Sequence, residues 1–194
     1  MDDARLIETT IASRVVHTGR YLTVRVDTIR DADGGEHTRD VIDHPGAVAI
    51  LPLDGASVLM VHQYRTPAGR VLLEIPAGTL ERAPDGSVED PVTAGPRELG
   101  EETGFHARDW QLLGRFFTAP GFATEYMHLY LATDLTPIDG YTGPDVDERL
   151  DLVRTPWRGA VDMALRGDIE DAKTIVALLL LERMVSSGDL ALDD

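Results

Sequence analysis

Short apolar and alternating segments recur along most of the chain, and they predict a sheet. The segment YLTVRVDTI alternates Leu22, Val24 and Val26 with polar residues, which is the period of a half-buried strand. The Asp-Gly-Gly at 33–35 then predicts a hairpin turn into a second strand. Three further β-branched runs bounded by Gly, Pro and Asp predict more strands: GAVAILPL, SVLMVHQY and RVLLEIPAG.

The second half of the chain mixes the two periodicities. WQLLGRFF and EYMHLYLATDL predict strands, and the acidic PDVDERLDLVRTPW predicts a loop that leads into another strand. GAVDMALRG and DAKTIVALLLLERMVSS predict helices, the second apolar enough to lie against the sheet. Strands interleaved with helices indicate an α/β domain in which helices pack on a mixed sheet.

Composition narrows the classes of function. A chain of 194 residues with 43% apolar residues is long enough for one sizeable core. The formal net charge of -16, without any basic run, argues against nucleic-acid or anionic-membrane partners. Cysteine is absent, the N-terminus has no signal-peptide pattern, and IVALLLL is too short to span a bilayer. We therefore expect a cytoplasmic protein.

One predicted helix gathers three carboxylates behind an arginine. Glu98 and Glu102 lie one turn apart, Glu101 projects about 60° away from Glu98, and Arg97 precedes Glu101 by four residues. Hard oxygen ligands without His or Cys suit Mg²⁺ or Mn²⁺. The alternative interpretation of RELGEE taken alone is an ordinary solvated helix face.

The longer spacing favours the metal site. The segment resembles the Nudix box, G-x5-E-x7-R-E-U-x-E-E-x-G-U, where U is a bulky apolar residue. From position 89 onward the specified positions all match: Glu89, Arg97, Glu98, Leu99, Glu101, Glu102, Gly104 and Phe105.

Two departures from this pattern predict local structure. Ten residues separate Gly78 from Glu89 where the family has five, so APDGS is interpreted as an inserted surface turn, which costs little loop entropy. Pro96 would break a helix interior, so the regular helix is expected to begin near Ala94 or Gly95. Gly104 is expected to be its left-handed C-terminal cap.

The resemblance implies a Nudix-type α/β/α sandwich that hydrolyses a nucleoside diphosphate linked to another group, with Mg²⁺ or Mn²⁺ as cofactor. By position, it implies that Glu98 and Glu102 are metal ligands. Glu101 would be a ligand or a holder of metal-bound water, and the carbonyl of Ala77 would complete the shell. Glu89 would orient these ligands through Arg97.

Segments outside the box resemble the ADP-ribose pyrophosphatase branch. Pro120 stands fifteen positions beyond Phe105, and HQYR before the box matches the pattern of this branch. ADP-ribose or a related ADP-sugar is therefore the favoured substrate. Arg65 is a candidate phosphate or ribose contact, or a surface arginine at a strand end. Glu74 is a candidate substrate contact, or the partner of Arg70 in a local ion pair.

The general base is expected from the acidic loop GYTGPDVDERLDLV. The branch tends to take its base from a mobile acidic loop near the C-terminal helices. Asp145, Asp147 and Glu148 are candidates, and Glu148 is preferred for its longer side chain and its place just before the next strand. The alternative is a solvated turn.

The branch also implies an N-terminal antiparallel strand layer, exchanged across a two-fold homodimer. Residues 1–44 would form this layer and residues 45–194 the catalytic domain. Tyr21 is the candidate ring that stacks on the partner's adenine.

Other functions stay open at this point. The substrate could be GDP-mannose, NADH, a dinucleoside polyphosphate or a damaged nucleotide, because the box specifies diphosphate chemistry and not the leaving group. A Nudix-fold sensor that binds ADP-ribose without hydrolysing it is a further alternative, although its box carboxylates would usually be eroded. A calcium-binding protein lacks support, because the chain has no D-x-D-x-D-G loop.

Overall fold

The computed structural model describes residues 3–143 and 149–192. It contains ten strands and three α-helices within these residues. The strands are β1 Thr9–Thr18, β2 Thr23–Arg30, β3 Glu36–Asp43, β4 Ala47–Asp54, β5 Ser57–Arg65, β6 Arg70–Glu74, β7 Ala77–Thr79, β8 Phe105–Phe117, β9 Tyr126–Pro137 and β10 Leu150–Pro156. The helices are α1 Pro91–Thr103, α2 Trp157–Arg166 and α3 Ala172–Ser187.

The contacts divide the chain into two compact units. One comprises the N-terminal residues through Gly46 together with Phe117–Tyr126, and the other comprises Ala47–Phe116 and the chain from Met127 onward. The division expected from the sequence, 1–44 and 45–194, did not assign Phe117–Tyr126 to the N-terminal part.

The N-terminal unit is built on a three-stranded antiparallel sheet in the order β1-β2-β3. The predicted hairpin joins β2 to β3, and Asp31 stabilises its turn by accepting backbone hydrogen bonds from Asp33 and Gly35. On β2 the buried residues are Asp27 and Ile29, not the apolar Val24 and Val26. Asp27 tolerates burial because the Ser13 hydroxyl and the Arg25 guanidinium both donate to its carboxylate.

Strand β1 was not predicted. Its pairing with β2 shifts register between Thr10 and Ala12 and again between Val15 and His17. These irregularities break the two-residue period in the sequence, so the alternation that indicates a strand is lost.

The larger unit contains a seven-stranded mixed sheet. Its main order is β10-β5-β4-β9-β8, with β6 added beside β5 and β7 beside β4. The central strand β4 runs parallel to β9 and antiparallel to β5 and β7. Seven of the eight residues of β4 are buried, which is expected of a strand covered on both faces.

Alternate residues of β4 point into two separate cores. Ala49 and Leu51 belong to a core that includes Leu178 of α3. Val48 and Ile50 belong to the opposite core, which includes Leu99 of α1. Helices therefore cover both faces of the sheet, and the predicted α/β/α sandwich with a separate antiparallel layer is confirmed. None of the helices in the described ranges is long and apolar enough to cross a membrane.

Candidate active site

Helix α1 begins at Pro91, three to four residues earlier than predicted. The Asp90 side chain accepts a hydrogen bond from the Val92 backbone at 3.0 Å, so it caps the helix N-terminus. Pro91 is the first helical residue, where its missing N–H has no intrahelical partner to lose.

Pro96 consequently lies inside the helix, and the prediction that it falls in the first turn is wrong. It removes the bond that residue 96 would donate to the Val92 carbonyl. Both Pro96 and Val92 are exposed, so the interruption lies on the solvent side of α1. The Asp90 cap and the packing of the opposite face keep this segment helical.

The predicted C-terminal cap is confirmed. Gly104 has a φ of 72°, and its N–H donates to the Gly100 carbonyl at 3.0 Å. A β-carbon at this position would also lie 2.4 Å from the ring of Tyr141. The Tyr141 hydroxyl donates to the Glu101 carbonyl at 2.8 Å, which ties residue 141 to the last turn of α1.

The buried face of α1 presents two of the three candidate carboxylates to the β7 backbone. Glu98 and Glu102 are buried, and the Glu98 side chain is 11% exposed, whereas the Glu101 side chain is 42% exposed. The Ala77 N–H donates to Glu102 Oε2 at 3.3 Å. At Gly78 an added β-carbon would lie 1.9 Å from the Glu98 carboxylate, so only glycine leaves room for this approach.

Arg97 connects the carboxylates of the box. Its guanidinium donates to both oxygens of Glu89 at 3.2 and 2.9 Å, and Nη1 lies 2.9 Å from Glu101 and from Glu98. The hydrogen bonds from Arg97 lower the pKa of Glu89, and those to Glu89 raise the pKa of Arg97. The contacts expected between Arg97 and the acids of the box are present.

The extra residues before Glu89 form a surface turn, as predicted. Arg82 and Val88 pair as an isolated antiparallel bridge, and the Ala83 N–H bonds to the Ser87 carbonyl at 2.9 Å. The two ends of the inserted turn therefore lie next to each other. The Glu89 N–H bonds to the Glu81 carbonyl at 2.8 Å at the point of return.

The donor set around β7 and α1 fits a divalent cation in its chemistry. Glu98, Glu101 and Glu102 offer only hard carboxylate oxygens, which Mg²⁺ and Mn²⁺ prefer. Among residues 3–143 and 149–192, no three acidic or imidazole side chains are arranged closely enough to enclose an ion. Arg97 instead bridges Glu98 and Glu101.

A second charged cluster lies around the end of β5. Arg65 forms two hydrogen bonds of 2.8 Å with the carboxylate of Glu74, which is 1% exposed. The ion pair of Glu74 with Arg70, which was one of two alternatives for Glu74, is not formed, because Arg70 binds Glu170 at 2.8 Å. The second cation on Glu74 is Lys173 of α3, which sequence reasoning missed.

Of the remaining candidates, one belongs to the N-terminal unit and three belong to the acidic loop. Tyr21 is in the turn between β1 and β2, 58% exposed, with the Arg20 guanidinium 4.7 Å from its ring centroid. Asp145, Asp147 and Glu148 lie outside the described residues.

Comparison with known families agrees with the geometry of α1 and β7. The model of the NUDIX domain matches residues 43–179. The chain belongs to the NUDIX family. The model of the nucleoside diphosphate sugar hydrolase N-terminal domain matches residues 8–42. The prediction of a Nudix hydrolase is thereby confirmed, and Nudix hydrolases generally use divalent metal ions.

Individual relatives match along nearly the whole Nudix chain. A methanol dehydrogenase activator from Bacillus methanolicus is 36% identical, covering 90% of this chain and 92% of its own length. An ADP-ribose pyrophosphatase from Mycobacterium tuberculosis is 37% identical, covering 91% of this chain and 84% of its own. A solved structure described as an ADP compounds hydrolase shares the fold, with a TM-score of 0.78, 24% identity and coverage of 93% and 95%.

Proposed function

We propose that this Nudix protein hydrolyses the diphosphate bond of ADP-ribose to give AMP and ribose 5-phosphate. The observation that carries the proposal is the pair of buried carboxylates, Glu98 and Glu102, held against the backbone of Ala77 and Gly78. Two carboxylates one helical turn apart on a buried face repel each other, and a divalent cation held by both would relieve that repulsion. A diphosphate substrate bound with divalent metal supplies the matching charges.

The choice of ADP-ribose has separate support. The Mycobacterium tuberculosis relative carries that activity in its name, and the match to it covers 91% of this chain. Gln63, Tyr64 and Arg65 before the box and Pro120 after it resemble the same branch. GDP-mannose is the second candidate, because the box chemistry is equally suited to it.

The cofactor in this proposal is Mg²⁺ or Mn²⁺. Glu98, Glu102 and the carbonyl of Ala77 would hold it, with Glu101 as a further ligand or the holder of a bound water. When bound, the metal neutralises phosphate charge and activates the attacking water. Arg97, anchored by Glu89, keeps the acids of α1 at fixed positions.

The protein side chains have distinct tasks in the reaction. The oxygen of a water molecule forms a bond to one phosphorus atom, and the bridging P–O bond breaks to release the two monophosphates. Arg65, oriented by Glu74, binds the diphosphate. Glu148 is our first choice for the base that accepts the proton of water, with Asp145 and Asp147 as alternatives.

We also propose that the active form is a homodimer. Strand β1 is the edge of its sheet, all ten of its residues are exposed, and Ile11, Val15 and Val16 are 41%, 56% and 46% exposed. An unpaired edge with this much apolar surface favours association. The exposed ring of Tyr21, in the turn that follows β1, would stack on adenine in the partner's site.

The test is AMP release from ADP-ribose by the purified protein with Mg²⁺, beside GDP-mannose, NADH and diadenosine polyphosphates. Glu102→Gln is the matched variant, since it keeps the shape of the side chain and removes its charge. Cleavage of ADP-ribose that collapses in Glu102→Gln supports the proposal. Preferential cleavage of another substrate, or binding of ADP-ribose without cleavage, overturns it.

A further inference from the structure

The chain contains a single lysine among its eighteen lysine and arginine residues. This residue, Lys173, lies in the first turn of α3, and its side chain is only 10% exposed. Its ammonium group forms an ion pair with the Glu74 carboxylate and lies 3.0 Å from Asp171 Oδ1. A lysine is seldom buried without such partners, so this position is defined by its two acids.

Glu74 stands between Lys173 and Arg65. Arg65 occupies one side of the carboxylate through two hydrogen bonds of 2.8 Å, and Lys173 binds Oε2. The Arg65 side chain is 38% exposed, whereas that of Glu74 is 2% exposed. Of Arg65, Glu74 and Lys173, Arg65 is therefore the residue whose side chain is accessible to a ligand.

The same turn of α3 also holds the backbone beside Glu74. The Ile75 N–H donates to the Thr174 hydroxyl at 2.9 Å, and that hydroxyl donates to Asp171 at 2.5 Å. Two residues further on, the Ala77 N–H donates to Glu102 of α1. The first turn of α3 thus contacts Glu74 and Ile75. The same stretch of chain reaches Glu102 through the N–H of Ala77.

The charges of this cluster cancel only when Lys173 is included. Arg65 and Lys173 supply two positive charges, while Glu74 and Asp171 supply two negative charges. Without Lys173, Glu74 and Asp171 would attract Arg65 without a competing cation, and the attraction of Glu102 for Arg65 would add to theirs. Less of the guanidinium's charge would then be available to an incoming anion.

We propose that Lys173 is a positioning residue, which neutralises Glu74 and Asp171 so that Arg65 can bind the diphosphate of the substrate. The inference rests on the proposed function of Arg65. Arginine is a poor replacement, because its larger planar guanidinium does not match the space that a compact ammonium group occupies at a side chain only 10% exposed.

The test is a double-mutant cycle on the affinity for ADP-ribose, measured by calorimetry in EDTA so that hydrolysis does not occur. Lys173→Met should weaken binding about tenfold in the wild-type background and have little effect on Arg65→Met, because residues of one network are coupled. Lys173→Gln, which keeps a hydrogen-bond donor without the charge, should weaken binding as Lys173→Met does. It is the second variant if Lys173→Met does not fold.

Leu181→Ala is the matched control for destabilisation. Leu181 is buried on α3 away from Glu74, so its truncation lowers the melting temperature while leaving the affinity for ADP-ribose unchanged. Equal losses from Lys173→Met with and without Arg65 would overturn the inference and leave the proposed function standing. Unchanged affinity in Arg65→Met would overturn the proposed contact of Arg65 itself, and with it the inference. If the wild type binds no ADP-ribose in EDTA, the same cycle is measured on the KM for AMP release with Mg²⁺. Absence of both binding and AMP release in the wild type would overturn the proposed function and the inference together.

Discussion

Gly78 is the residue of β7 that lies against the carboxylate of Glu98, a candidate metal ligand. A methyl group there would overlap the Glu98 carboxylate, with the nearest atoms 1.9 Å apart. The Glu98 side chain can rotate away, so the cost falls on the position of the carboxylate more than on the fold.

We therefore expect Gly78→Ala to lower the affinity for Mg²⁺ by about tenfold or more, as displaced ligand supports generally do. Isothermal titration with Mg²⁺ measures the change, and the melting temperature should move little. Gly114→Ala is the control, because no atom lies within 4 Å of a β-carbon added there. Equal Mg²⁺ affinity in the two variants would contradict the role given to Gly78.

The pair of Glu89 and Arg97 gives a prediction about pH. The hydrogen bonds from Arg97 lower the pKa of Glu89 below its unfolded value, so the folded state favours the ionised form. The stabilisation is therefore complete above the unfolded pKa of about 4.3 and is lost as pH falls through the lower, folded pKa.

Glu89→Gln should accordingly lower the free energy of unfolding at pH 7 by about 1 kcal/mol. The difference from wild type should shrink at pH 3, below the unfolded pKa of Glu89, because the unfolded state gains a proton at this residue there. Urea denaturation at both values of pH measures it. A constant difference across this range would mean that ionisation of Glu89 does not contribute.

At the scale of elements, helix α1 illustrates what the sequence could and could not predict. The spacing of Glu89 to Phe105 predicted which side chains converge, because those positions are set by the helical period. The start of the helix was placed too late, since Pro96 outweighed the cap signal of Asp90 followed by Pro91. The tertiary packing of Ala94 and Leu99 overrides the local cost of the proline.

Pro96→Ala should therefore stabilise the protein by about 1 to 3 kcal/mol, because it restores a backbone hydrogen bond and removes a clash in the helix interior. Pro91→Ala is the matched control, and it should be neutral or slightly destabilising, since Pro91 occupies the first helical position. Thermal unfolding compares the two. Destabilisation by Pro96→Ala would show that the local backbone geometry at Pro96 is itself required.

The contacts of Glu74 could not be predicted from local sequence. Lys173 and Glu74 are 99 residues apart along the chain, and their pairing depends on α3 packing beside β6. A signal did exist in the composition, because this is the only lysine in a chain that otherwise uses arginine. The strand β1 was missed for a different reason, since its two register shifts remove the alternating pattern.

At the scale of the whole molecule, the prediction concerns dimer formation through the exposed edge strand β1. Replacing Ile11 and Val15 together with lysine places charge on the proposed dimer surface and should convert dimer to monomer at micromolar concentration. Light scattering coupled to size-exclusion chromatography measures the mass. Leu165→Lys is the control, because Leu165 is 64% exposed on α2 and lies outside the N-terminal unit. A monomeric wild type would reject the homodimer.

The surface turn between Arg82 and Val88 has a consequence for how such signatures are recognised. The chain there departs and rejoins through a bridge, so the fold constrains the separation of its two ends and not the number of residues between them. A search pattern that requires five residues between Gly78 and Glu89 tests the number of residues in this segment, which the fold does not constrain. A pattern that allows an insertion of variable length at this point would retrieve sequences that keep the box carboxylates but that a fixed spacing excludes.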